Sequence, residues 1–425
     1  MTATSPRHVC FLIQVPRKDH HWIEKNAEIS LRYVRIQNDA ENERLDTIQT
    51  GSAALSTLSN KATTTCAMDL PNIQKLSSLV TRVLGQNPGK FTLQDLPQGT
   101  NTYLIGRSPP YILIDTGEGK PEYVGQLRKA LESSPDGQCP ISDIIITHKH
   151  MDHHGGLIDV LDFLSSQRST SWQPPRIHIH PLPAGVTDSS LTATIARLKS
   201  GEFTPTSDSG ALFALNDGSK VQTADASAML EIVHTPGHTA DSISLILYAM
   251  NNAEPAIPEA LFTADTVLGA GTAVFEDLAS YMQSLRRLVD LPIWSHFISL
   301  HPGHGPTVSP ESSKSHIETY ISHRQARENQ IIDVFRKSQG KTSVGQIVES
   351  LYAEYPRTLW PAAAHSVGLH LQKLEVEGRA RRLGGKKVAE VGEYDGVKME
   401  QVGGASMDAE WEFTEVGVTN VETKL

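Results

Sequence analysis

Ten consecutive residues, THKHMDHHGG from Thr147 to Gly156, constrain this chain more than any other stretch. Ile144, Ile145 and Ile146 before them make the β-branched apolar run of a buried strand. LIDVLDFL after them has the spacing of an amphipathic helix. The polar cluster is therefore expected at a strand-to-helix corner, where α/β proteins place their chemistry. At an extended strand end His148 and His150 project to one side, because side chains alternate with period two. Both imidazoles then converge on one metal ion, while Asp152 and His153, in the following turn, face a second. Gly155 and Gly156 allow a tight bend and close backbone approach. A polar surface loop does not account for four potential ligands within six residues.

Length and composition set the frame around that corner. At 425 residues, with 39% apolar and 20% charged residues, the chain is long enough for two domains and a large core. A formal net charge of -10 weighs against nonspecific binding to nucleic acid or acidic membranes. Cys10, Cys66 and Cys139 are scattered without CxxC spacing, so neither a disulfide framework nor a cysteine zinc site is expected, and a reducing compartment is. No apolar stretch is long enough to span a membrane. The expected location is the cytoplasm or the mitochondrial matrix. Residues 1–69 read as a flexible N-terminal extension. VCFLIQV there is too brief for a signal-peptide core. The Ser/Thr/Ala-rich stretch from Thr47 to Thr65 follows Glu24, Glu28, Asp39, Glu41, Glu43 and Asp46, acids that are unusual in a presequence.

From Leu70 the pattern sharpens. LSSLVTRVLG, TNTYLIG and YILIDTG read as strands, the last two separated by the turn-forming RSPP, and YVGQLRKALES reads as a helix. RIHIHPLP offers a second His-x-His pair, His178 and His180. It lies on a predicted strand with no acid or glycine turn after it, so a structural role is expected. His20 and His21 carry no metal signal either. In LEIVHTPGHTADSISLIL a Pro-Gly turn presents His238, with His234 before it structural. LFTADTVLG puts Asp265 at the end of an apolar strand, where a buried carboxylate needs a partner and a metal ion is the natural one. FISLHPGHGP places His304 after another strand and another Pro-Gly turn.

The run THKHMDHHGG resembles the HxHxDH signature of the metallo-β-lactamase superfamily. Together with DTG, TPGHT, TADT and HPGHGP it makes five separated pieces in that superfamily's order, each at the end of a predicted strand. The resemblance extends to the lactamase-β-like branch through LPNIQKLSSLVTRVLGQNPGKFTLQ with GTNTYLIG, through GAGTAVFEDLASYMQSLRRL and through YISHRQARENQII. It covers about Leu70 to Gly384. Animal members of that branch are mitochondrial endoribonucleases, and fungal members are thioesterases that release polyketides from acyl carrier proteins. An extra DLPQ, Asp95 to Gln98, departs from the branch pattern near the mouth of the expected site.

The resemblance implies an α/β chain folded as the metallo-β-lactamase αββα four-layer sandwich over residues 70–310. It implies that His148, His150 and His238 hold one metal, that Asp152, His153 and His304 hold the other, and that Asp265 bridges them. Asp152 and Asp265 are the expected catalytic carboxylates, Asp115 supports the site from behind, and His301 stands where an aromatic residue is expected, without a ligand role. Imidazole and carboxylate ligands without thiolate suit zinc, two Zn2+ per chain, with iron or manganese as alternatives. Metals about 3.5–4 Å apart lower the pKa of water to about 7 and bind a shared hydroxide as nucleophile. No GxSxG elbow offers a serine instead.

Beyond the catalytic unit, residues 311–395 read as a linker helix, SKSHIETYISHRQARENQIIDVFRK, and a small helical unit. TSVGQIVESLYAEY is a helix capped by Thr342 or Ser343; PAAAHSVGLHLQKLEVEGRARRLGG is another, closed by Gly378 before a basic hairpin. This resembles the winged-helix domain of the same branch. Residues 396–425 form an acidic tail in which EWEFTEV is a candidate last strand of the wing. Arg379, Arg381, Arg382, Lys386 and Lys387 make a local basic cluster, read either as a nucleic-acid contact or, with more weight in an acidic chain, as a solvated hairpin. The combined expectation is a binuclear metal hydrolase whose first candidate substrate is single-stranded RNA, cleaved by an endoribonuclease reaction. The alternative is an acyl thioester on a carrier protein or small thiol; a third is a non-catalytic binding protein on the same fold.

Overall fold

Alternation along the strands decides the layering. In β5 (Ile141–Ile146), Ile144 and Ile146 join one buried cluster and Ile145 another, on the opposite face. A strand buried on both faces must lie inside a layered structure. The same split separates Leu113 from Ile112 and Ile114 in β4 (Tyr111–Ile114), and Val233 from Ile232 in β9 (Ala228–His234). The computed structural model describes residues 70–87, 99–131, 139–168, 172–250, 256–355, 357, 360–383, 407 and 409–414. The expectations for residues 1–69, the DLPQ insertion, Lys386, Lys387 and most of 396–425 lie outside the described residues.

Two mixed sheets result. The first runs in sequence order through β1 (Ile73–Lys75), β2 (Val80–Leu84), β3 (Asn101–Ile105), β4, β5, β6 (Arg176–Ile179) and β7 (Leu212–Ala214). It is antiparallel as far as β4 and parallel from β4 to β7. The second has the order β12 (Ser299–Pro302), β11 (Ile257–Ala264), β10 (Ile243–Ala249), β9, β8 (Lys220–Gln222), with only β11 and β12 parallel. Ile105, Ile112 and Ile145 from the first sheet pack against Leu230, Leu245 and Phe262 from the second. Outside the first sheet lie α1 (Pro121–Ala130) and α3 (Leu157–Ser165); α2 is the short turn described below. Outside the second lie α5 (Leu278–Val289) and the first half of α6 (Pro310–Lys337). This is the expected four-layer sandwich. Of the predicted strand LSSLVTRVLG only Val80–Leu84 is β, because Leu76 and Ser77 turn back to donate to the Val80 carbonyl.

The 28-residue α6, about 42 Å long at 1.5 Å per residue, ties the sandwich to a winged helix. Ile317 and Tyr320 pack on the second sheet's outer layer, while Ile331, Ile332 and Phe335 enter a separate core with Val344, Ile347, Leu371 and Trp411. A capping box between Ser343 and Gln346 opens α7 (Val344–Tyr352). Gly378, at φ +70°, closes α8 (Trp360–Val376) with Arg379 N–H donating to the Leu374 carbonyl. β15 (Glu410–Phe413) lies between β13 (Lys341–Ser343) and β14 (Ala380–Arg382), so a piece of the acidic tail is the central strand of the wing.

Candidate metal centre

The seven expected ligands come from strand ends on one edge of the sandwich. His148, His150, Asp152 and His153 follow β5, His238 lies in the turn between β9 and β10, Asp265 follows β11 and His304 follows β12. β5 stops at Ile146, so His148 and His150 are not strand residues, contrary to the alternation argument. Asp152 and His153 occupy α2 (Met151–His154), a single helical turn capped by an extended His150. The histidines converge through that turn rather than through strand pleating. Gly155 and Gly156 have helical φ values of -62° and -82° and make no unusual bend. Close approach explains both, since a Cβ on Gly155 would stand 2.7 Å from the Glu118 carbonyl and one on Gly156 2.1 Å from the Thr116 carbonyl.

Three imidazole nitrogens form a triangle. His148 Nε2 is 3.1 Å from His150 Nδ1 and 3.2 Å from His238 Nε2, and His150 Nδ1 is 2.9 Å from His238 Nε2. Their protons are directed elsewhere. His238 Nδ1 donates to the Val274 carbonyl at 2.8 Å, and a carbonyl only accepts. Thr147 Oγ1 donates to Asp115 Oδ2 at 2.9 Å and so accepts from His148 Nδ1 at 3.1 Å. The inward nitrogens of His148 and His238 therefore carry lone pairs that converge on one another, an arrangement that a shared cation satisfies. Nitrogens 2.0–2.1 Å from a tetrahedral zinc stand roughly 3.3–3.4 Å apart, close to the spacing here.

The second cluster adjoins the first. His304 Nε2 lies 3.1 Å from Asp152 Oδ2 and 3.3 Å from Asp265 Oδ2, and His153 Nε2 lies 3.5 Å from Asp265 Oδ1. Asp265 Oδ2 also stands 3.6 Å from His238 Nε2, so one carboxylate touches both groups. Within each of the sets His148/His150/His238, His148/His153/Asp265 and Asp152/His153/His304, the donor atoms lie within 4.8 Å of one another. Buried His153 Nε2 and Asp265 Oδ1 have no hydrogen-bond partner, the signature of donor atoms that serve a metal. His153 Nδ1 donates to Asp115 Oδ2 at 2.7 Å, which turns its other nitrogen inward. These buried His/Asp clusters are consistent with a binuclear metal site.

Electrostatics separates the two halves. Burial holds His148 well below the ordinary imidazole value, with the neighbouring His153, His238 and His150 adding to the effect. Burial and His238 push His150 down to about 3, and burial lowers His238 against the pull of Asp265. That half offers neutral ligands. In the other half burial would lower His153 and His304 too, but carboxylates win. Asp115, Asp265 and Asp152 hold His153 well above its usual value, and Asp265 with Asp152 brings His304 to about 10. Burial would raise Asp265, yet His304 and His153 hold it well below the carboxylate range. A carboxylate-rich half of this kind demands positive charge.

Support comes from places the sequence did not mark. The carbonyl that orients His238 belongs to the loop after β11, and α6 grips that loop. Arg324 Nη2 donates to the Ala273 carbonyl at 2.8 Å with its guanidinium 4.7 Å over the Phe275 ring, and Tyr320 Oη donates to the Gly271 carbonyl at 3.0 Å. Asp115 and Ala264, just before turns that aim Asp115 and Asp265, adopt φ of +59° and +44°, strained for non-glycine residues. Thr147 could have been suspected from its place in the motif; a backbone carbonyl and a distant helix residue leave no local signal. Lys149, between two site histidines, pairs with Glu276 at 3.0 Å on the rim.

His178, His180, His234 and His301 make their contacts outside the donor clusters. His178 Nε2 is 2.7 Å from Asp143 Oδ1, and His180 Nδ1 donates to the Leu215 carbonyl. His234 donates to the Ala240 carbonyl and stacks on His180. Buried His301 packs between Tyr103 and Phe262, taking the part of an aromatic residue. Cys139 is buried in the core beneath the first sheet, and the described ligand clusters contain no thiol.

Known proteins resemble this chain in sequence and in fold. Residues 96–164 match the family model of the metallo-beta-lactamase superfamily, and residues 343–387 match the beta-lactamase associated winged helix domain. A beta-lactamase-like protein 2 homolog of Drosophila melanogaster is 35% identical, over 73% of this chain and 93% of its own. An atrochrysone carboxyl ACP thioesterase of Aspergillus novofumigatus is 31% identical, over 69% of this chain and 81% of its own. A beta-lactamase domain protein from Burkholderia ambifaria has the same fold at a TM-score of 0.54 and 17% identity, over 82% of this chain and 96% of its own. The chain belongs to the metallo-β-lactamase superfamily, in the branch of beta-lactamase-like protein 2 and the fungal lactamase-like thioesterases, and carries that branch's winged-helix domain.

Proposed function

We propose that residues 70–310 form a binuclear metal hydrolase, with zinc as the metal its ligands suit, and that it cleaves acyl thioesters. The observation that carries the hydrolase reading is the pair of ligand clusters joined through Asp265. His148, His150 and His238 would hold one ion, Asp152, His153 and His304 the other, and Asp265 both. Bound there, two divalent ions supply water activated near neutral pH and polarise a carbonyl oxygen. The protein's own part is to fix that geometry: Asp115 and Val274 O orient His153 and His238, and burial shields His148, His153, His238 and Asp265 from bulk water. The complete cluster argues against a non-catalytic binding role.

Two observations favour a thioester over RNA. The curated relatives at 31% identity include an ACP thioesterase. In the wing, Arg379 pairs with Glu328 and Glu377, and Arg381 with Glu412, so two of the five cations that supported the RNA expectation are paired within the chain. Metal-loaded protein should be assayed with acyl-N-acetylcysteamine thioesters and with single-stranded RNA at low and high salt. Thioester cleavage nearly independent of salt is expected. RNA cleavage that weakens steeply with salt, as phosphate contacts require, beside intact thioesters would overturn the reading in favour of an endoribonuclease.

A further inference from the structure

We propose that an aliphatic groove beside the metal centre receives the hydrocarbon tail of the substrate's acyl group, an inference that rests on the thioester reading and sharpens it. The groove, of about 280 Å³, lies between the ends of β6 and β7 and α4 (Ser189–Ile195). Its walls are Ile179, Leu182, Val186, Leu191, Ile195 and Leu212. No Phe, Tyr or Trp is among its described lining residues, so it suits a flexible chain better than a planar ring system. Val186 is 44% exposed, an apolar surface that a ligand would cover.

Its position follows from topology. β5, β6 and β7 are parallel, with Ile146 opposite Ile179 and Ile179 opposite Ala214, so their C-terminal ends share one edge. β5 ends at the metal ligands. Strands stand about 4.8 Å apart, which puts the groove roughly 5–10 Å from the end of β5 along that edge. Contacts between their neighbouring residues link the two. Ser190 Oγ lies 3.4 Å from Nε2 of His154, the residue after His153. The His180 ring, on the lip of the groove, stacks 3.9 Å from His234, whose Nε2 donates to the Ala240 carbonyl in the loop that carries His238. His180 and Asp188 give the groove polar edges around an apolar floor. A carbonyl held at the centre leaves its tail within reach of this surface. At about 30 Å³ per water-sized group, the groove holds roughly nine such groups.

Burying a methylene is worth about 0.8 kcal/mol, or roughly fourfold per CH2. Across acetyl to decanoyl N-acetylcysteamine thioesters, kcat/KM should rise by about that factor per methylene until the groove is full. Ala214→Trp, at an exposed strand end, should fill the groove and flatten the series, leaving acetyl turnover and metal content unchanged. Val186→Asp should do the same by placing a charge on the wall. A flat series in the unaltered protein, or an octanoyl preference that survives Ala214→Trp in folded protein, overturns the groove while the thioesterase reading stands. If no thioester is cleaved that reading fails, and calorimetry with octanoate decides the groove separately. Binding lost in Ala214→Trp supports an aliphatic site, and no binding in the unaltered protein overturns it.

Discussion

The metal corner and the wing hairpin draw on the same stock of charged and titratable side chains and bring them to opposite ends. In the wing three described cations meet carboxylates: Lys373 lies 2.5 Å from Glu328, Arg379 3.0 Å from the other Glu328 oxygen, and Arg381 2.5 Å from Glu412. At the corner the donor atoms of His148, His150 and His238 point at one another, and His153 Nε2 and Asp265 Oδ1, 3.5 Å apart, have no hydrogen-bond partner. A polar group that pairs within the chain is finished by folding, whereas converged lone pairs are finished only by a cation. Both clusters stand out in the sequence. Orientation, which composition does not carry, tells them apart.

Asp265→Ala tests that contrast most severely. With the carboxylate shared by both clusters removed, metal content should fall from near two ions per chain and hydrolysis of any substrate should be lost, by at least about 10³-fold. His178→Ala with His180→Ala removes two histidines whose contacts are to Asp143 and the Leu215 carbonyl, and should leave metal content unchanged. Elemental analysis of both proteins checks it. Retention of both ions in Asp265→Ala with their loss in the double variant would mean that the converging and self-paired groups have been assigned the wrong way round.

The wing gives the mirror experiment. Lys373→Met leaves the buried Glu328 carboxylate with Arg379 as its one remaining ion-pair partner among the described residues. Breaking a buried pair costs about 3 kcal/mol, so denaturant melts should show a loss of that order with metal content intact. Unchanged stability would show that the wing cations are not committed to the fold and would reopen the polyanion contact.

Much of this was legible because strand ends and tight turns write themselves locally. The isoleucine run fixed β5, the Pro-Gly dipeptides marked the turns before His238 and His304, and Thr342 or Ser343 announced a helix start. The shape of the corner is not legible: period-two alternation places His148 and His150 at a strand end, yet β5 ends at Ile146. Nor was the grip of Arg324 and Tyr320 on the loop behind His238, since those contacts join residues about fifty positions apart through backbone carbonyls. The wing's central strand comes from Glu410–Phe413, far from its neighbours in sequence, where only a short alternation hinted at it.

Gly303 sharpens the comparison from the side of geometry. A Cβ there would stand 2.2 Å from Asp265 Oδ1 and 3.0 Å from His153 Cε1. Gly303→Ala should therefore displace the shared carboxylate without altering any ligand. A misplacement of about 1 Å costs on the order of 10²-fold in rate, so kcat/KM should drop by about that much while thermal stability changes little. Full activity would show that the Asp265 position is not critical.

Asp241 fits neither class cleanly, and its effect is the smallest. It is fully buried beside the rim, with Oδ1 accepting from Thr239 Oγ1 at 2.7 Å and Oδ2 bonded to nothing. Burial pushes its pKa up to about 6, against the Thr239 hydrogen bond and the pull of Lys149. An unfolded Asp titrates near 3.9, so the folded carboxyl binds its proton more tightly than the unfolded one. Its favourable contribution is complete below about pH 3.9 and is lost as pH rises through about 6; above that the fold holds a buried charge at a cost of at most about 3 kcal/mol. Asp241→Asn removes the titration. The variant should be the more stable protein at pH 8, by about 1–3 kcal/mol, with the advantage fading as pH falls toward 4. Groups common to both proteins cancel in that difference. Measuring it with and without chelator sorts Asp241 into its class. The same pH swing in both states, the expected outcome, leaves it outside the ligand set; a swing that vanishes when metal is bound would place Asp241 with the groups that serve the cation and extend the corner by one carboxylate.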